Sequence, residues 1–410
     1  MFRIKSNFNL SALAILPWLV LIHSTSWAQN NLTPAKNANA IRVATFNTAF
    51  SRDEAGALLT ELESDSQQAK RIAGVIRTVR PDIVLLNEFD YASDNKTIKL
   101  FLSKYLEAES GLGEPIQYAN FYSAPVNTGE PSGLDLDRNG KTNDPNDAFG
   151  FGRYPGHYGM VLLSKYPIQF ANVRTFQKLL WHTLPNAERP VDPKTQEPYY
   201  SDEIWKQLRL SSKSHWDVPI ETPQGTIHLL CSHPTPPAFD GPEDRNGKRN
   251  HDEIRLWKEY IENPNASFLV DDQGQTGGLA NTESFVIVGD LNADPQDGDD
   301  QGKAVRQLLQ SRRVQSTPTP TAPGGKETAL AQGGKNLSHQ GKPEEDTSDF
   351  NDRNPGNLRV DYVLASQPLN VVQSGIFWPT TTQIETIDAK WLEASDHRLV
   401  WIDVQGRKPQ

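Results

Sequence analysis

Several apolar runs in this chain stop at residues suited to acid–base or metal chemistry. TFN ends on Asn47, LLNE on Glu88 and CSHP on His233; GDLN ends on Asp290 and Asn292, RVDY on Asp361, and ASDH on Asp396 and His397. One such ending is ordinary, because Asn and Asp open turns and cap strands. The whole set fits one reaction. Hydrolysis of a phosphoester needs a Lewis acid on the phosphoryl oxygens, a base for the attacking water, and donors for the developing charge. Hard oxygen ligands such as Glu88 and Asn47 suit Mg²⁺, Mn²⁺ or Ca²⁺ better than zinc. Cys231 is the only cysteine, which removes thiolate chemistry and any intrachain disulfide. No G-x-S-x-G elbow is present for a serine nucleophile.

Rigid strands must hold such groups in register. IRVATFN alternates in strand fashion from Ile41, and DIVLLNEFD reads as a buried strand. Between them, Ile72, Val75, Ile76 and Val79 recur at helical spacing and Pro81 closes the segment. YGMVLLSKYPI, TIHLLCSHP, FVIVGDLN, RVDYVLAS and HRLVWIDV supply further strands, and HDEIRLWKEYI a helix with Ile254, Trp257 and Ile261 on one face. Strands and helices mix throughout without a break in composition, so residues 41–404 are expected to form one α/β (α+β) domain. Two long inserts interrupt it, at roughly 93–156 and 300–356. Loops of that length are functional or disordered.

The chain has 410 residues and a formal charge of −10, which argues against a basic surface that binds nucleic acid without specificity. Arg3 and Lys5 precede an apolar stretch from Leu10 to Ile22, followed by Ser26 and Ala28 at cleavage spacing. Residues 1–28 therefore read as a secretory signal peptide, too short to span a membrane. Export to the periplasm or the cell exterior is expected, with a flexible lead-in at 29–40 and a tail at 405–410. No stable membrane anchor and no protein partner are implied.

In their order, TFN, NE, YGMVLLSKYPI, the strand ending in His233, GDLNADP, RVDYVL and SDHRLV resemble the endonuclease/exonuclease/phosphatase superfamily. That group includes secreted deoxyribonucleases, abasic-site endonucleases, sphingomyelinases and inositol-phosphate phosphatases. The resemblance runs from about Ile41 to Val404, and GDLN with SDH is its specific part. It implies a four-layer α/β/β/α sandwich whose two sheets present their strand ends at one cleft. It also implies that Glu88 is the main metal ligand with Asn47 beside it, that Asp290 activates or orients water, and that Asn292 helps hold the phosphate. Asp396 would support the metal, and His397, oriented by Asp361, would stabilise the phosphoryl charge. A His at position 233 fits the deoxyribonuclease and sphingomyelinase-like members, where the abasic-site endonucleases have Tyr; its expected role is to protonate the leaving oxygen.

Three features depart from the common pattern. Asn87 precedes Glu88 where many members have Gln, but the carboxylate is kept. In GLDLDRNGKTNDPND, Asp135, Asp137, Asn139 and Gly140 take the first, third, fifth and sixth places of a Ca²⁺ loop, with Asn146 rather than Glu at the twelfth. The choice is between a structural Ca²⁺ site and a solvated turn. After His233, Arg245, Lys248 and Arg249 are placed either to bind substrate phosphate, with Arg245 and Arg249 foremost, or to pair with Glu243 and Asp244.

The expected activity is divalent-metal-dependent hydrolysis of phosphodiesters, as a nuclease or general phosphodiesterase using Mg²⁺ or Mn²⁺ on a phosphoester substrate that includes nucleic acid. The alternatives are a phosphomonoesterase that scavenges phosphate and a sphingomyelinase-like lipid phosphodiesterase. A lipid enzyme needs an exposed apolar hairpin; SGIFWP, with Phe377 and Trp378, is the one candidate, and two aromatics beside a proline more often belong to a core. A non-catalytic Ca²⁺-binding protein would have no need of Glu88, Asp290 and His397 together.

Overall fold

Alternation along the apolar strands sends side chains to different cores, and this fixes the architecture. A computed structural model describes residues 32–109, 111–299, 303–384 and 389–406. In it β1 (Ile41–Phe50) turns Ala44 and Phe46 to one side and Ile41 and Val43 to the other. β2 (Ile83–Phe89) splits in the same way, Val84 and Leu86 against Ile83 and Leu85. Both strands are buried on two faces, as the period of two requires when each face meets a core.

β1 and β2 pair in parallel at the centre of a six-stranded sheet. Its other members are β3 (Asn120–Tyr122), β4 (Met160–Ser164), β10 (Leu369–Ile376) and β11 (Val400–Gly406), in the order β10-β11-β1-β2-β4-β3. The second sheet runs in chain order: β5 (Arg174–Thr175), β6 (His215–Thr222), β7 (Gly225–Ser232), β8 (Ser284–Asp290) and β9 (Asp361–Ala365). Val286 and Val288 of β8 enter the core shared with Ile41 and Leu85, whereas Phe285 and Ile287 face the opposite way.

Helices close both outer faces. Leu58 and Leu62 of helix Ala57–Glu63, and Ile72, Val75, Ile76 and Val79 of helix Gln67–Val79, cover the first sheet. Ile254, Trp257 and Ile261 of helix Arg245–Glu262, with Ala304, Val305 and Leu308 of helix Lys303–Leu309, cover the second. The result is a four-layer α/β/β/α sandwich. The Gln67–Val79 helix starts where the Ser66 hydroxyl accepts the Ala69 N–H and ends at left-handed Arg80, just before Pro81.

Several expectations change. The signal segment lies outside the described residues. Residues 32–40 are not a free lead-in: Lys36 pairs with Asp82, and the Pro34 carbonyl accepts from Arg42. β11 continues to Gly406, past the expected boundary at 404. The inserts are structured over much of their length, with helices such as Lys96–Leu100 and Pro323–Gln332. Phe377 and Trp378 are buried, Trp378 donating to the Thr328 hydroxyl, so SGIFWP offers no apolar hairpin to a membrane. Among the described residues no helix is long and apolar enough to cross one.

Candidate active site

The strand ends meet because of register. β1 and β2 run in parallel, as do β7 and β8, so Asn47, Glu88, His233 and Asp290 all lie at C-terminal strand ends. β9 runs antiparallel to β8 and contributes its first residue, Asp361, directly opposite Asp290. β11 is antiparallel to β1 with Val400 opposite Thr45, which carries the preceding His397 beyond the end of β1. The Ser395 hydroxyl ties that approach down by donating to the Asn47 carbonyl at 2.8 Å.

Asn87 joins the two sheets. Its side-chain oxygen accepts from the Thr45 hydroxyl at 3.2 Å and from the Asp290 N–H at 3.3 Å. Gly289 is required because β8 approaches β7 closely: its φ is 151°, and a Cβ there would meet the Ser232 carbonyl oxygen at 1.9 Å. Glu88 and Asn292 also take positive φ, 58° and 52°, a costly conformation for such residues that concentrates at functional sites.

One carboxylate oxygen lies at the middle of the cluster. Asp290 Oδ2 accepts from Asn47 Nδ2 at 3.0 Å and lies 3.4 Å from His233 Nε2 and 3.7 Å from His397 Nε2. Asn47 Nδ2 also reaches Glu88 Oε1 at 3.2 Å. His397 Nδ1 is 2.9 Å from Asp361 Oδ2, which the Thr347 hydroxyl approaches at 2.8 Å. Thr347 belongs to the second insert, as does Phe350, whose ring meets the His397 ring edge-on at 5.3 Å. That insert therefore packs the Asp361–His397 pair into place.

Burial sets the electrostatics. It pushes the Asp290 carboxyl up, with Asp361 adding to the effect while His397 and the Asn47 hydrogen bond oppose it. Glu88 is likewise raised, by burial first. Burial disfavours charge on His397, but Asp361 and Asp290 outweigh it and raise the ring to about 10, so it is an imidazolium at neutral pH. His233 goes the other way: burial, with Lys213 and His397, holds it well below the ordinary value, and its Nδ1 forms no hydrogen bond. The two imidazoles thus differ in charge across one carboxylate.

Not every expected residue joins this cluster. Asp396 is exposed and makes no hydrogen bond to Glu88 or Asn47, although its charge acts on His397. The Asn292 N–H donates to Asp290 Oδ1 at 2.9 Å, and its side-chain amide donates to the Pro234 carbonyl at 3.1 Å, tying the tips of β8 and β7 together. Arg249 is largely engaged by the fold: Nε and Nη2 of its half-buried guanidinium donate to the carbonyls of Phe149, Arg209, Leu210 and Ser211. Arg245 pairs with Glu243. The helix starts at Arg245, earlier than HDEIRLW suggested, and winds these cations into its first turns.

Two buried groups escaped the sequence reading. Glu253 accepts from the N–H groups of Ser212 and Thr235 at 2.6 and 2.7 Å, clamping the segments before β6 and after β7. Lys213, 6% exposed, lies on the first of those segments. The signal for it was the hairpin: with His215 opposite Ser232, continuing the β6–β7 register puts Ser214 opposite His233 and Lys213 next to it, opposite Pro234.

Away from the cleft, Asp135, Asp137 and Asp147 gather carboxylate oxygens within 4.8 Å of one another. Asp135 accepts the N–H groups of Asn139 and Gly140, each at 3.0 Å, and Asp137 accepts the Asn139 side-chain amide at 3.0 Å. The third carboxylate comes from Asp147, one residue beyond the twelfth place, in a short 3₁₀ turn capped by Asp144.

Residues 44–397 match the model of the Endonuclease/Exonuclease/phosphatase family. The chain belongs to that family. It is thereby a metal-dependent phosphoric ester hydrolase by descent. No curated protein matches its sequence. Among solved structures, an endonuclease/exonuclease/phosphatase from Beutenbergia cavernae DSM 12333 is 17% identical with a TM-score of 0.46, covering 90% of this chain and 72% of its own. Sphingomyelinase C from Streptomyces griseocarneus is 15% identical at 0.45, with coverage of 90% and 99%. The human Nocturnin catalytic domain with bound sulfate is 16% identical at 0.43, with coverage of 91% and 96%.

Proposed function

We propose that the protein hydrolyses phosphodiesters, as a nuclease or general phosphodiesterase, using Mg²⁺ or Mn²⁺. The observation that carries this reading is Asp290 Oδ2, which faces the Asn47–Glu88 pair on one side and two imidazoles of opposite protonation on the other. The donor set fits a hard divalent cation. Glu88, Asn47 and Asp290 offer only oxygen and amide groups, with half-buried Glu88 and buried Asp290 as the carboxylates. Glu88 and Asn47 would hold the cation, with Asp396 at the rim. When bound, it supplies Lewis-acid polarisation of the phosphoryl oxygen.

The chain's own residues do the rest. Asp290 orients the attacking water and receives its proton. His397, charged and fixed by Asp361, donates a hydrogen bond from Nε2 to a phosphoryl oxygen as charge builds there. His233 stands on the other side of Asp290 and hands a proton to the leaving oxygen; being neutral in the free protein, it must acquire that proton as the phosphate anion enters. Asn292 holds the turn that aims Asp290 and lies at the phosphate's edge.

We further propose Ca²⁺ for the Asp135–Asp137–Asp147 loop, and export directed by residues 1–28. The test of the activity is hydrolysis of bis-p-nitrophenyl phosphate, p-nitrophenyl phosphate, plasmid DNA and sphingomyelin with EDTA, Mg²⁺ or Mn²⁺. Metal-dependent cleavage of the diester and DNA is expected. Turnover of the monoester alone would replace this reading with a phosphate scavenger, and of sphingomyelin alone with a lipid enzyme.

A further inference from the structure

Lys213 carries a charge without a direct partner. The residue is only 6% exposed, its ammonium is not sealed from solvent, and among the described residues that ammonium makes no hydrogen bond or ion pair. The backbone around it is held firmly: its carbonyl accepts from the Asn127 N–H at 2.8 Å, and the neighbouring Ser212 N–H donates to buried Glu253. Glu253, Glu88 and Asp290 are near enough to act on the ammonium electrostatically, and it in turn disfavours charge on His233 and His157. Both chain neighbours of Lys213 lie against His233: the Ser212 hydroxyl donates to the His233 carbonyl at 3.4 Å, and Ser214 continues the β6–β7 register opposite it, which sets Lys213 at the His233 end of the cleft.

Desolvating an ammonium costs several kcal/mol unless an anion compensates. A structural lysine meets that cost with a carboxylate in contact, as Arg42 does with Asp403 at 2.7 Å and Arg174 with Asp271 at 2.7 Å elsewhere in this fold. Lys213 has three carboxylates around it and contact with none. An ammonium kept back in this way suits an anion that arrives with the substrate.

We propose that Lys213 is the anion-binding residue of the cleft, donating from Nζ to a non-bridging phosphoryl oxygen on the side opposite His397. This rests on the phosphoester reading and adds a binding residue to it. The phosphate is then held by two protein cations, one from the turn before β6 and one from the turn before β11, each on a different sheet. A compact ammonium accepts any phosphoryl group, so Lys213 serves affinity for phosphate and leaves the choice of ester to other residues.

The experiment titrates inorganic phosphate into Mg²⁺-loaded protein by calorimetry, for the wild type, Lys213→Met and Lys213→Arg, with Mg²⁺ affinity measured separately. Lys213→Met is expected to weaken phosphate binding by about 10- to 100-fold while leaving the Mg²⁺ Kd within about threefold; Lys213→Arg should restore most of the loss. Unchanged phosphate affinity in Lys213→Met overturns the proposal, as does loss of Mg²⁺ and phosphate binding together, which would make Lys213 structural. Should the variants not fold, reductive methylation of the wild type with mass-spectrometric readout serves instead: saturating phosphate must slow modification of Lys213, and no protection overturns the proposal. Phosphate binding through Lys213 without hydrolysis of any ester would remove the hydrolase reading and leave this one standing.

Discussion

Two acidic clusters in this protein each gather three potential ligand atoms within 4.8 Å of one another, and they differ in burial and in what holds them. Asp290, Asp361 and His397 are buried, whereas Asp135 and Asp137 lie on a partly exposed loop with only Asp147 inside. In the loop, backbone N–H groups and Asn amides occupy the carboxylates, an arrangement that neighbouring turn residues can supply by themselves. In the cleft, the partners are side chains brought together by the fold, Asn47 and Asp290 from 243 residues apart and Asp361 and His397 from 36, and Asp361 Oδ1 has no hydrogen bond at all. Exposed acids are solvated whether or not they bind anything. Buried ones require the fold to be built around them, and they strongly perturb their neighbours, as the raised pKa of His397 beside Asp361 and Asp290 shows.

The strongest way to break this comparison is Asp290→Ala. If the buried cluster is the reactive one, kcat on bis-p-nitrophenyl phosphate should fall by about 10³-fold or more with the melting temperature preserved. A loss below about tenfold would move the chemistry elsewhere. Asp361→Asn comes next: it leaves the shape of the pair but removes the carboxylate that keeps His397 charged, so kcat should fall by about 10²-fold, with an alkaline limb moved to lower pH. An unshifted limb would mean that His397 is not the group that titrates.

A smaller effect concerns stability. The folded protein holds the His397 proton more tightly than the unfolded chain, with its pKa raised from 6.5 to about 10. This contribution is fully present below about pH 6.5 and is lost as pH rises toward 10, since the unfolded state binds fewer protons in that window. In EDTA, the melting temperature should therefore fall by roughly 2–4 °C or more between pH 7 and 10. Asp361→Asn should flatten that slope.

What the sequence revealed of this site followed chain-local physics. GDLN was legible because an apolar run must end at a glycine when its neighbour comes as close as Ser232 does to Gly289, and the polar residues after it take the positions the turn leaves open. The four layers were legible through the resemblance, and the alternation in β1, β2 and β8 gives their physical cause. Lys213 was missed because its place depends on the register of a hairpin with no apolar marker at that end. Arg249 was misplaced because helix Arg245–Glu262 begins in a polar stretch after left-handed Asp244, without a capping hydroxyl to announce it. Thr347 and Phe350 reach the Asp361–His397 pair from an insert whose composition resembles a linker, a long-range contact that no local pattern encodes.

The smallest effect on activity belongs to the exposed cluster, and there the comparison can be sharpened. Asp135 receives two backbone N–H groups and Asp137 two Asn side chains, so the loop already neutralises part of its charge without an ion. Ca²⁺ would have to displace some of these bonds, which argues for modest affinity. Asp147 is the residue that separates a turn from a site: it is 1% exposed, it accepts the Leu136 N–H at 2.9 Å, and it still points a carboxylate at Asp135 and Asp137. Calorimetry on the wild type should show Ca²⁺ heat that is lost in Asp135→Ala, with bis-p-nitrophenyl phosphate turnover in Mg²⁺ changed less than about twofold, because the loop touches none of the reacting groups. Wild-type protein with no Ca²⁺ heat would reduce the loop to hydrogen-bonded turn chemistry. A large loss of turnover in Asp135→Ala would instead mean that the two acidic clusters are energetically coupled, and the contrast drawn between them would fail.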